Sequence, residues 1–230
     1  MPLFAPSDPA RAVTAGAVLS PQAQWDAITA CPRVVTKGKN TTAATAVVIG
    51  QKDQYAYVLT ADHVLAEPGA REFQFFTPKS YPEPDPALTL GKDVLVVSSK
   101  IGDFALLKIP IGDKQVRHAM LASPTGRPKR YPFDAVSIGC TLGSPPSAQA
   151  EKIRDKRFVS KNDFETAFFW ESATSPEVGR SGGPLFSADG KVIGLCAAAK
   201  DGKGYYCHLD EILFKLKPEY AWLWEGQDDK

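Results

Sequence analysis

The residues best suited to chemistry form one short run, Gly179-Arg180-Ser181-Gly182-Gly183-Pro184-Leu185. A serine hydroxyl is a weak nucleophile at its free pKa. To attack a carbonyl it needs a base beside it and donors aimed at the oxyanion that forms. Glycines around a serine open backbone angles closed to other residues and let a second chain approach. In such a turn the amide groups of Gly179 and Ser181, on either side of Arg180, can converge on one point. An oxyanion hole built from Gly179, Arg180 and Ser181 is therefore the expectation, and Pro184 and Leu185 lead straight into a strand. A glycine-rich turn is usually only a turn, so the weight rests on its companions.

The chain has three histidines. His63, in Thr60-Ala61-Asp62-His63-Val64, follows an apolar strand directly, where a base facing a cleft would be carried. His118 lies in a polar stretch with no motif around it, and His208, at the end of a late strand, is the rival. Asp62 reads as structural, because its side chain in a turn points away from that of His63. Asp103 heads the strand-like run Phe104-Ala105-Leu106-Leu107-Lys108-Ile109. It could cap a turn, or accept the histidine Nδ1–H and so fix the tautomer and stabilise the imidazolium. The order His63, Asp103, Ser181, each at a strand edge, favours the second role.

The elements that must position these residues are mostly strands. Thr45–Ile49 and Tyr55–Thr60 are β-type runs joined by a turn placed at Gly50–Asp53. Glu72–Phe76, Val94–Ser98, Phe104–Ile109, Val136–Cys140, Ala167–Trp170, Val192–Ala197 and Gly204–His208 continue the pattern between Pro/Gly/Asp-rich turns. Many short strands and few helices predict an all-β barrel or sandwich. Ser20-Pro21 opens a helix running to Ala30, with Trp25 and Ile28 inward. Asp210–Leu216 reads as a closing helix capped by Asp210. The proline-rich stretch 78–86 reads as a surface loop, and the charge run Glu151–Arg157 as a solvated hairpin or loop. No fixed-period repeat is visible.

The three segments Thr60–Val64, Asp103–Leu107 and Gly179–Leu185 resemble the signature blocks of trypsin-like, chymotrypsin-fold serine proteases, closest in style to bacterial trypsin-like and HtrA-type peptidase domains. The resemblance spans roughly residues 33–217. It implies two six-stranded antiparallel β-barrels with the active site in the cleft between them, about 33–124 and 133–210, with the linker near Thr125–Pro132. An arm and helix (1–32) would precede them and a polar tail (218–230) would follow. It implies His63 and Asp103 on the first barrel, Ser181 on the second, and peptide-bond hydrolysis through an acyl-enzyme with neither metal nor organic cofactor. The primary pocket maps to Ser175 at its floor, Ala197, Ala198 and Ala199 along its wall and Gly204 opposite. That lining has no carboxylate and suits a small or medium apolar side chain.

The sequence departs from the family in two places. Digestive members carry an aspartate before the serine, which pairs with a new N-terminal ammonium; here Arg180 stands there, so activity is expected without N-terminal processing. A cysteine often follows the histidine in secreted members; here it is Val64. Cys31, Cys140, Cys196 and Cys207 read mainly as buried thiols, with Cys196–Cys207 the one pair worth testing as a bridge. The N-terminus has no evident secretory signal, which points to a cytoplasmic protein, with a secreted or periplasmic one left open.

The bulk numbers agree with an enzyme of proteins or peptides. The chain has 230 residues, 43% of them hydrophobic, and 27 Lys and Arg against 26 Asp and Glu leave a net charge of +1. Such a surface has no strong positive field for nucleic acid, and no apolar run approaches the roughly 20 residues that cross a bilayer. An activating protein partner is left open. Two rivals stand. Gly179–Gly183 also fits a G-x-S-x-G nucleophile elbow, with His208 and Asp189 or Asp201 completing an α/β-hydrolase site. The other rival is a catalytically latent or inactive protease fold kept for binding.

Overall fold

The structure is a computed structural model that describes residues 18–162 and 165–225. Most of the expected N-terminal arm and the last five residues of the expected tail lie outside them.

Helix α1 (Pro21–Thr29) starts as the sequence suggests. The Ser20 hydroxyl accepts the Ala23 N–H at 3.2 Å, with Pro21 in the first turn. Ile28 is fully buried, and Trp25 packs edge-on to Tyr81 at 5.0 Å. Thirteen strands follow: β1 (Arg33–Lys37), β2 (Thr41–Lys52), β3 (Tyr55–Thr60), β4 (Ala70–Gln74), β5 (Thr89–Leu90), β6 (Val94–Ser99), β7 (Phe104–Pro110), β8 (Phe133–Gly139), β9 (Ser147–Asn162), β10 (Glu165–Ser172), β11 (Pro184–Phe186), β12 (Val192–Lys200) and β13 (Lys203–His208). A short helix, α2 (Asp62–Ala66), lies between β3 and β4, and another, α3 (Leu209–Lys215), follows β13.

The strands form two curled sheets, so the two-barrel expectation holds. The second is a closed six-stranded barrel in the order β10-β13-β12-β11-β8-β9, and the first is a seven-stranded sheet in the order β5-β4-β1-β2-β3-β7-β6. The first thus has one strand more than expected, and it is a curled half-barrel whose edge strands do not pair with each other. All the strand pairs are antiparallel.

Strand β2 shows why the two halves share a core. Successive side chains on a strand point to opposite faces. Val47 and Ile49 join the larger core, which also contains α1 and the interior of the second barrel, while Ala46 and Val48 join a smaller core inside the first sheet. Both faces of this strand are apolar because both are covered.

Several boundaries move. The β2–β3 turn falls at Asp53-Gln54 rather than Gly50–Asp53: Lys52 pairs with Tyr55, and both loop residues have positive φ, as a tight two-residue hairpin of this hand requires. Gly50 instead lies in β2, paired with Tyr57 and next to a bulge at Ile49. Helix α3 is capped by His208, whose Nδ1 accepts the Asp210 N–H at 3.1 Å, not by Asp210. The charge run Glu151–Arg157 is neither loop nor fully solvated. It lies within β9, where Glu151 and Ile153 are buried and Lys152 and Arg154 exposed.

The expected polar tail also contains structure. Residues Pro218–Leu223 form a 3-10 turn that returns to the first sheet: Leu223 is fully buried, and Trp222 packs edge-on to Tyr57 at 4.9 Å. A Cβ on Gly50 would lie 2.7 Å from Leu223 Cδ2 and 2.9 Å from the Trp222 ring, so the bare backbone at Gly50 is the seat of the turn. Leu223→Ala is expected to cost about 2–5 kcal/mol, as truncation of a fully buried leucine does. Denaturant unfolding measures this, and a loss under about 0.5 kcal/mol, typical of a surface site, would show that residues 218–223 are a tail after all.

Candidate active site

His63 sits in the first turn of α2, directly after β3, and Asp103 in the turn between β6 and β7. Strands β3 and β7 are hydrogen-bonded neighbours, with Thr60 opposite Ala105, so the ladder itself brings the two residues together. The carboxylate holds the histidine twice. Asp103 Oδ1 accepts the His63 backbone N–H at 2.9 Å, and Oδ2 accepts from Nδ1 at 2.7 Å. A proton held on Nδ1 leaves Nε2 as the free lone pair. Asp103 adopts a left-handed φ of 50°, uncommon for a residue with a side chain, and such strain gathers at functional sites. The hydrogen bond to Asp103 raises the His63 pKa above its ordinary 6.5, against partial burial that works to lower it.

Ser181 comes from the other barrel, in the loop between β10 and β11. His63 and Ser181 line the same cavity, which measures about 300 Å³. Among the described residues the Ser181 hydroxyl has no hydrogen-bond partner, so the His63–Asp103 pair is closed while the Ser181–His63 link is open. Catalytic hydrogen bonds of this kind are often long without substrate. The backbone amides of Gly179 and Ser181 likewise have no acceptor among the described residues, whereas the Arg180 N–H donates to Glu177 O at 3.2 Å. Arg180 therefore belongs to the expected oxyanion segment by position only, its amide being spent inside the loop.

The loop is pinned to the first sheet by Thr45, a fully buried residue of β2 that the sequence did not single out. The Thr45 N–H donates to Ser181 O at 2.9 Å, and its hydroxyl donates to Gly179 O at 2.7 Å while accepting the Cys140 N–H at 2.9 Å. The Thr45 carbonyl accepts the Thr60 hydroxyl at 2.8 Å, one strand from His63. Gly182 is required at this contact: its φ is +79°, and a Cβ would lie 2.3 Å from Thr45 O.

The pocket is brought together in part. Ala197, Ala198 and Ala199 line the cavity, joined by Cys196, Pro176 and Val178. Ser175, expected at the floor, is exposed and does not line it. Gly204 is buried behind the wall, where a Cβ would meet Ser172 Oγ at 2.5 Å and Pro176 Cδ at 2.8 Å. The cavity as a whole is not free of carboxylates, since Glu67 and Glu177 also line it. The suggested Cys196–Cys207 bridge does not form. Cys196 stands opposite Tyr206 and Cys207 opposite Leu195, so the two thiols sit on opposite faces of the sheet. All four cysteines are free and buried, and burial pushes Cys140 and Cys196 up to about 12. Among the described residues no group of three or more His, Cys, Asp or Glu is placed to hold a metal ion.

The rival histidine is accounted for elsewhere. His208 is buried against Trp170 at 4.2 Å, and desolvation pulls its pKa down to about 3. Asp189 bonds Ser187, and Asp201 occupies the β12–β13 turn. The strands after Ser181 pair antiparallel with no helix between them, and the only α-helix that follows is the short α3 after β13, so among the described residues the α/β-hydrolase reading fails.

Two curled β-sheets, with a histidine–aspartate pair on one and a glycine-flanked serine on the other, define a chymotrypsin-like two-barrel protein. The family comparison says the same. Residues 44–195 match the model of the trypsin-like peptidase domain, and the chain belongs to that family. No curated protein matches the chain. Among solved structures it is similar to Rv3671c from M. tuberculosis H37Rv. The inactive form of that protein aligns over 93% of this chain and 94% of its own, at 19% identity and a TM-score of 0.67. The active form of the Rv3671c protease aligns over 84% and 82%, at 19% identity and a TM-score of 0.68. The HtrA-type protease AlgW with a tripeptide aligns over 89% of this chain and 64% of its own, at 20% identity and a TM-score of 0.63.

Thr45→Val keeps the shape of the side chain but removes the hydroxyl, leaving the Cys140 N–H and Gly179 O unpaired in the interior. The expected cost is about 1–3 kcal/mol, read by chemical denaturation. A neutral result would mean that the two barrels are held in place without this bond.

Proposed function

We propose that the protein is a serine endopeptidase, with Ser181 as nucleophile, His63 as general base and Asp103 as the group that orients and stabilises the imidazole. The observation that carries this reading is the double grip of Asp103 on His63, its Nε2 left free at the edge of a cavity that Ser181 also lines. Closing the open Ser181–His63 link lets Nε2 take the hydroxyl proton as Oγ attacks the scissile carbonyl. The tetrahedral oxyanion then falls to the Gly179 and Ser181 amides, which no group among the described residues occupies, and collapse expels the amine with the proton returned from His63. Water repeats the sequence on the acyl-enzyme.

The substrate is a protein or peptide, and Ala197–Ala199, Cys196 and Val178 favour a small or medium apolar side chain at the cut. A peptide-library profile dominated by Arg would instead assign the pocket to Glu177. N-terminal processing has no role in this scheme, because the guanidinium of Arg180 is satisfied within the chain: Nη2 donates to Ser137 O at 2.9 Å and to Ser137 Oγ at 2.8 Å.

The open Ser181–His63 link is also what a latent protease fold awaiting a partner would show. A fluorophosphonate probe separates the two. The isolated chain is expected to be labelled at Ser181, with labelling lost in Ser181→Ala and His63→Ala. No labelling without a second protein would establish the latent reading.

The raised pKa of His63 sets the pH dependence. Only the neutral imidazole can act as base, so kcat/KM should rise with pH through an apparent pKa above 6.5. Asp103→Asn removes the largest cause of that shift. It should move the acid limb to lower pH and cut kcat by about 10⁴-fold. An acid limb unmoved by Asp103→Asn would remove Asp103 from the mechanism.

A further inference from the structure

A polar network lies inside the second barrel, immediately behind the nucleophile. Arg180, only 2% exposed, donates to the carbonyls of Ser137, Gly139 and Ser147 and to the hydroxyls of Ser137 and Thr141. These acceptors are all neutral. Glu151, also 2% exposed, accepts only hydroxyls among the described residues: Ser137 Oγ at 2.9 Å and Tyr206 OH at 2.7 Å on Oε1, and Thr174 Oγ1 at 3.1 Å on Oε2. A buried charge with no counter-charge is costly. Here one hydroxyl serves both charges, since Ser137 Oγ accepts from Arg180 Nη2 at 2.8 Å and donates to Glu151.

Glu151 reaches opposite ends of one loop, Thr174 directly and Arg180 through the Ser137 hydroxyl. Thr174 begins the stretch that walls the cavity through Pro176 and Val178. Arg180 ends it, one residue before Ser181. Building on the peptidase reading above, we propose that Glu151 is a positioning residue, the buried counter-charge that clamps both ends of the Thr174–Ser181 loop. It acts through Thr174 at one end and through Ser137 and Arg180 at the other, and so keeps the Gly179 and Ser181 amides convergent. Glu151 does not line the cavity, so it acts on the reaction only through the loop.

The test is Glu151→Gln in the full chain. It keeps the size of the side chain but removes the counter-charge. Turnover should fall by about 10- to 100-fold, below the full loss of an oxyanion donor, while KM changes less than about threefold. The affinity for a peptide boronate, whose adduct fills the oxyanion site, should fall in step with kcat. Ser137→Ala removes the bridge and neither charge, and should move the same readings in the same direction; it carries the test if Glu151→Gln does not fold. Turnover within about twofold of wild type in a folded variant, or unchanged boronate affinity with a raised KM, would overturn the proposal. Thermal unfolding of Glu151→Gln, Arg180→Gln and the double variant gives a reading that needs no activity. The double variant should lose no more than the worse single one, because each charge is a burden without the other; strictly additive losses would overturn the clamp. A wild-type chain inert to substrate and probe would defeat the peptidase reading, with the unfolding cycle still deciding the clamp.

Discussion

A serine on one barrel and a histidine on the other can act together only if the barrels cannot slide, and Thr45 is where sliding is blocked. Its backbone and hydroxyl join the peptide groups of Ser181, Gly179 and Cys140 to β2, the neighbour of the strand β3 that leads into His63. Hydrogen bonds between buried groups are costly to leave unmade, so any shift of one barrel must break several at once. The glycine at 182 follows from the same contact, because only a residue without Cβ lets the loop backbone come so near Thr45 O. The shared apolar core does the rest: Val47 and Ile49, on the same strand, pack with the interior of the second barrel.

The residues of the candidate site were legible because they stand in short local patterns. A glycine-flanked serine, a histidine at the end of an apolar run and an aspartate at the head of another each show themselves within five to nine residues. That they meet is a property of the sheet: Thr60 pairs with Ala105, which carries the residues on either side of that rung to one place. The supports of the site were not legible. Thr45 sits within an ordinary β-type run, and its importance comes from partners about a hundred residues away. The pocket floor was misplaced at Ser175 because counting back from the serine assumes the family's loop path, whereas here the wall is built by Pro176 and Val178.

The fold was legible where alternation was clean and hidden where one face of a strand breaks the rule. Strand β9 looked like a solvated loop because charge fills Glu151–Arg157. The alternation is present, but one of its inward positions is a carboxylate rather than a hydrophobe, and composition cannot tell a buried glutamate from an exposed one. Strand β1, Arg33–Lys37, is short and bounded by basic residues, so its apolar centre, Val34 and Val35, was too brief to register. Residues 218–223 were read as tail because three polar or charged residues flank the aromatic ones, yet Trp222 and Leu223 find Gly50, whose bare backbone leaves room for them.

Arg180 shows how a family constraint can be met by a different charge. A carboxylate before the serine, as in digestive members, needs a cation, and a free chain terminus is one source. With a guanidinium in that place the sign of the requirement reverses: the interior must now supply acceptors and an anion. Strand β8 provides the Ser137 and Gly139 carbonyls and the Ser137 hydroxyl as acceptors, and Glu151 on the neighbouring strand β9 provides the anion, relayed by that single hydroxyl. Because both charges belong to the folded barrel, their pairing is complete once β8 and β9 pair and the β10–β11 loop docks on them. The order of the nucleophile loop is thereby tied to the folding of the barrel and independent of where the chain begins.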